Sequence, residues 1–165
     1  MAMQSGPCDE DPIVAFAIAA RAWCDFAEHG YAPSMEELDP VSDHLASLVH
    51  RALRLPLVEA DEDPSPDATI DDAAWQRVYH RFGALPFSYY AVCLDPHSVP
   101  DAVLGVADLA DDLADVWLDV KRGLALLDAG YRDAAASVWR ADFETHWGPH
   151  AANAMVAVQA WRTRV

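Results

Sequence analysis

A single short turn separates two helix-length segments late in this chain, and that spacing forces them to pack side by side. In the first, from Asp108 to Ala129, Leu109, Leu113, Val116, Trp117, Val120, Leu124 and Leu127 share one broad face when residues advance by about 100°. In the second, from Asp133 to Thr163, Trp139, Phe143, His146, Trp147, His150, Ala154, Ala157 and Trp161 fall on a common side. Gly130 stands where a left-handed residue closes a helix, so the connection suits an antiparallel helical hairpin.

The polar residues of these segments carry the candidate chemistry. Asp108, Asp112, Asp115 and Asp119 form one stripe centred about 120° from the apolar face, and His146 and His150 lie one turn apart. If the stripes face each other, carboxylates meet imidazoles inside the bundle. Two histidines four residues apart can hold one divalent metal ion, with Asp115 or Asp119 adding oxygen ligands from the facing helix. No H-E-x-x-H or E-x-x-H motif accompanies them. Two structural readings compete: the imidazoles pack as core among Trp139, Phe143 and Trp147, hydrogen-bonded to aspartate or backbone, or Arg140 pairs with Asp115 or Asp119, since a guanidinium among tryptophans needs a carboxylate. Gly148-Pro149 interrupts the second segment, because proline loses a backbone bond and collides with the carbonyl four residues earlier. A kink is expected beside His146.

Earlier in the chain, Asp11-Pro12 opens a helix through a capping side chain and a proline at the first position, and Gly30 closes it. Its inner face is Ile13, Phe16, Ala17, Ala20, Trp23, Cys24 and Ala27. Ser34-Met-Glu-Glu37 has the form of a capping box, and Asp39-Pro40 repeats the cap-plus-proline signal for a helix with Leu45, Leu48, Val49, Ala52 and Leu53 inside, stopped by Pro56. A third helix is expected from about Asp72 to Phe82. Pro86 to Leu94 has strand-like composition without an obvious pairing strand and reads as a short helix or an extended packing segment. Together these give an all-α single domain spanning 1–165, an irregular bundle of about five helices. Residues 1–10 are expected to be disordered, and 59–70 to form an exposed acidic loop.

Charge limits the partners. With 27 acids against 11 bases the net charge is −16, which repels phosphate backbones and anionic lipid, so neither nucleic acid nor membrane is an expected partner. A basic protein or a bound cation fits better. Cys8, Cys24 and Cys93 are odd in number and lack C-x-x-C spacing, arguing against a disulfide framework and for a reducing cytoplasm. No G-x-S-x-G elbow supports nucleophilic catalysis. Leu124 to Ala135 resembles the turn of one tetratricopeptide unit, but a solenoid needs about three.

The last two helices resemble a bacterial family of domains of unknown function numbered 5063. The resemblance rests on Ala110-Asp-Asp-Leu-Ala-Asp-Val-Trp-Leu-Asp-Val-Lys-Arg-Gly-Leu124, on Trp139-Arg140, on Phe143-Glu-Thr-His-Trp-Gly148, and on His150-Ala-Ala-Asn-Ala154. It implies an all-helical cytosolic domain without an assigned activity. It also implies a shared role for Asp111, Asp112, Asp115 and Asp119 rather than for the histidines, and the chain departs from the family pattern at Pro149.

Two functions follow as expectations. The first is a non-enzymatic bacterial protein-binding module that uses its acidic surface, for example an immunity or inhibitor protein of a basic partner, with Asp108, Asp111, Asp112, Arg140, Trp139 and Trp147 as its cluster. The alternative is a metal-binding or Mg-dependent hydrolytic protein, using the aspartate stripe with His146 and His150.

Overall fold

The computed structural model describes residues 10–29, 37–58 and 70–164. Among them the elements run α1 (Pro12–His29), α2 (Leu38–Ala52), α3 (Asp72–Phe82), β1 (Tyr89–Cys93), β2 (Leu104–Asp108), α4 (Leu109–Asp128), α5 (Arg132–Thr145) and α6 (Trp147–Arg162). Gly30, the Ser34–Glu36 part of the capping box, the N-terminal residues 1–9 and most of the acidic loop lie outside the described residues. No helix among the described residues is long and apolar enough to cross a membrane.

Three helix starts follow from their capping aspartates. Asp11 Oδ1 accepts the Ile13 N–H at 3.0 Å, Asp71 Oδ1 that of Ala74 at 2.6 Å, and Asp108 Oδ1 that of Ala110 at 3.0 Å. The second helix differs from expectation: α2 begins at Leu38, and Pro40 sits inside its first turn, where the missing N–H costs no bond.

Helix α4 is the hub, packed against α1, α3, α5 and α6. Its Leu109, Leu113, Val116 and Val120 are fully buried, each contributing roughly 1.5–3 kcal/mol by leaving water. Trp139 of α5 reaches α4 at Gly123, donating its indole N–H to the Val120 carbonyl at 3.0 Å. A Cβ at position 123 would stand 2.1 Å from that nitrogen, so only glycine fits beneath the ring.

One feature corrects the all-helical expectation. Tyr89–Cys93 is a strand, and its partner is Leu104–Asp108, paired antiparallel with Ala91 opposite Val106. The partner escaped notice because it is only five residues long and merges into the cap of α4. The fold is therefore mostly helical with a small two-stranded sheet. The kink expected beside His146 is a full break, so the last segment is two helices. The break falls at His146 (φ −138°, ψ −79°), three residues ahead of Pro149. In an unbroken helix the Pro149 ring would strike the Thr145 carbonyl, and the break at His146 removes that collision. Gly148 completes the joint: a Cβ there would lie 2.1 Å from the Phe143 carbonyl oxygen.

Candidate metal centre

The joint between α5 and α6 faces the aspartate stripe of α4. His146 Nδ1 lies 2.6 Å from Asp119 Oδ2, and His150 Nδ1 lies 2.5 Å from Asp112 Oδ1. Asp112 and Asp119 are the buried acids among the described residues, at 4% and 2% exposure. An ionised carboxylate only accepts hydrogen bonds, so each Nδ1 carries a proton, and a ring with no second proton presents its Nε2 lone pair.

Those lone pairs converge on a third acid. Nε2 of His146 and Nε2 of His150 are both 3.9 Å from Asp115 Oδ2. One ligand atom from each of Asp115, His146 and His150 lies within 4.8 Å of the other two. A tetrahedral ion with bonds of ~2.0–2.1 Å holds its ligands ~3.3 Å apart, so closure asks for side-chain movement that shortens each histidine–Asp115 distance by about half an ångström and the remaining pair by up to ~1.5 Å. The His146 side chain is 48% exposed and that of His150 28%, leaving freedom to make it. The exposure also keeps the remaining coordination positions open to water.

Residues from two other elements fix the acids. Trp75 on α3 donates its indole N–H to Asp115 Oδ1 at 2.9 Å, holding the carboxylate with Oδ2 toward the histidines. Tyr79, one turn on, donates to Asp108 Oδ2 at 3.0 Å, and Tyr90 of β1 donates to Asp112 Oδ2. Arg122 pairs with Asp119 Oδ1 at 3.2 Å. Sequence reasoning missed Trp75, Tyr79 and Tyr90 as site residues. A findable signal existed: Trp75 and Tyr79, each with one polar donor, stand one turn apart on the same face of α3.

The remaining expected residues are dispersed. Asp119 stands behind the His146 ring, on its Nδ1, rather than among the three converging ligands. The histidines bond aspartates, as the structural reading expected, but they are not packed as core: Trp139 and Trp147 are wholly buried while the His146 side chain is 48% exposed and that of His150 28%. Arg140 pairs with neither Asp115 nor Asp119. Its Nε donates to Glu144 at 2.7 Å, and Nη1 approaches the Ala52, Leu53 and Leu55 carbonyls at the end of α2. Asp108 caps α4 at the edge of the site.

Electrostatics in the cluster is strained toward negative charge. Burial, and then the neighbouring Asp115, Asp112 and Asp108, hold the Asp111 carboxyl above the ordinary aspartate range. Burial and Asp119 do the same to Asp142. The hydrogen bond to Asp112, outweighing burial, raises the His150 imidazole.

Comparison with known proteins adds fold and family. The sequence profile of a domain of unknown function, DUF5063, matches residues 9–164. No curated protein matches the chain. Among solved structures, the crystal structure of protein BF1032 from Bacteroides fragilis, a Northeast Structural Genomics Consortium target, superposes with a TM-score of 0.75 at 18% identity, covering 91% of each chain. That likeness is one of fold.

Proposed function

We propose that this chain, which belongs to the DUF5063 family, binds a divalent transition-metal ion through Asp115, His146 and His150. The single observation that carries the reading is the paired arrangement of the rings: each Nδ1 is held by a buried carboxylate, and both Nε2 atoms aim at one oxygen of a third. Metal-binding histidines characteristically donate their other N–H to a carboxylate, which fixes the tautomer and raises ligand basicity. Two nitrogens with one oxygen suit zinc or ferrous iron better than magnesium, which favours oxygen alone. In addition, Asp112 and Asp119 are engaged by the imidazoles, which leaves the four-aspartate magnesium arrangement short of ligands. A cation here would also relieve the like-charge crowding around Asp111.

A bound ion of this class lowers the pKa of coordinated water toward neutrality, the chemistry of metal-assisted hydrolysis. The chain's own contribution is to hold three ligands on one side while leaving the other side wet. The test is metal analysis of protein purified without a histidine tag and equilibrated with zinc or anaerobic ferrous ion. The expected content is about one equivalent, lost in His146→Ala. A folded wild-type protein that retains almost no metal after equilibration overturns the reading.

A further inference from the structure

The two-stranded sheet presents an apolar face that the described residues leave open. Along β1 and β2 exposure alternates, so Tyr89, Ala91 and Cys93 share the outward face with Leu104 and Val106. Tyr89 is 71% exposed, Leu104 70% and Val106 78%. Leu94, Val99 and Val103, in the connection between the strands, are exposed as well. Concentrated exposure of large apolar side chains in one hairpin marks an interaction surface.

The surroundings define the partner. No Lys or Arg occurs between Arg81 and Lys121, a stretch that contains the whole hairpin, and two of its aspartates, Asp95 and Asp101, lie in the connection between the strands. Asp95 and Asp101 stand exposed there. We infer that this face docks a basic partner protein, one presenting an apolar patch ringed by Lys and Arg. A second copy of this chain would bring like charge against like charge in a molecule of net charge −16. The segment 59–69 carries the same sign of charge, with five acids and no base. The surface is separate from the metal ligands: Tyr90, which reaches Asp112, lies on the opposite face of the strand from Tyr89 and Ala91.

The probe is a pair of strand-length peptides of about ten residues, one alternating Val with Lys and the other Val with Glu, titrated calorimetrically into the full chain. The Lys peptide binds, more weakly as salt rises, and the Glu peptide does not. Val106→Asp and Leu104→Asp make the protein more acidic, so charge attraction alone predicts tighter binding of the Lys peptide. Docking on the apolar face predicts the reverse, a loss of about tenfold or more. The variants keep the wild-type helical circular dichroism and metal content, which separates this inference from the metal reading. Tighter or unchanged binding in the variants overturns it. So does a sedimentation profile in which the wild type forms a concentration-dependent dimer that Val106→Asp dissociates.

Discussion

His150 Nδ1 sits 2.5 Å from Asp112 Oδ1, and the other oxygen of that carboxylate accepts the Tyr90 hydroxyl. One buried acid thus ties α4, α6 and the sheet together, and it decides which nitrogen of His150 is free.

Replacing Asp112 by Asn tests that role. The amide oxygen still accepts from Nδ1, so the fold survives at a cost of about 1–2 kcal/mol. Losing the negative charge behind the ring lowers ligand basicity, and metal affinity falls by about 10- to 100-fold. Competition against a chelator of known affinity measures it. Equal affinities in the variant and the wild type would show that the carboxylate is structural only.

Two histidines should shape the pH dependence of the metal-free protein in opposite directions. The His150 value is raised by its bond to Asp112, so its stabilisation is complete below the unfolded value of ~6.5 and disappears as pH rises through the higher folded value. His44, stacked on Phe26 at 4.8 Å, is lowered by burial, with Asp43 opposing. Its penalty is absent above ~6.5 and grows as pH falls through the folded value. Urea midpoints followed across this range should lose their alkaline decline in His150→Gln and their acidic decline in His44→Gln. Identical profiles in the variants and the wild type would contradict both assignments.

Metal affinity must run against the first of those trends. The ion competes with a proton for His150 Nε2, so binding tightens as pH rises and releases protons to the buffer. Calorimetry in buffers of different ionisation enthalpy counts them, and a proton count of zero would argue against imidazole ligation.

Stripping the ion should leave a folded but less stable domain. At about one hundred times its dissociation constant an ion adds about 2.7 kcal/mol, equivalent to about 5–10 °C in a domain of this size. Thermal scans with and without chelator, repeated on His146→Ala, give the comparison. The variant's midpoint should not respond to chelator.

Gly123→Ala bears on packing alone. The added carbon would overlap the Trp139 indole and displace its bond to the Val120 carbonyl. Overpacking and the lost bond together cost about 3 kcal/mol, read as a lower urea midpoint with an unchanged slope. A variant as stable as the wild type would mean that α5 can slide on α4.

Much of this was legible in the residues. The apolar spacing of Leu109, Leu113, Val116 and Val120 marked the buried face of α4, and the same projection put the aspartates at its flank, where α6 covers Asp112. Pro149 announced an interruption, and the kink expected beside His146 falls at that residue, because the chain relieves the collision on the N-terminal side of the proline. The break turns the imidazoles away from the tryptophans with which helical spacing aligned them. The donors were hidden for a different reason: Trp75, Tyr79 and Tyr90 each have an apolar body and one polar atom, and periodicity registers only the body. Arg140 was misread because carbonyl groups at a helix end leave no mark in a sequence.

The three ligands come from α4 and from both sides of the proline-induced joint, so no stretch of the nascent chain holds a usable set. Capture of the ion must therefore wait until the last helix has docked. Occupancy becomes a certificate of completed folding, and a chain truncated before Trp147 should emerge unable to acquire its metal at all.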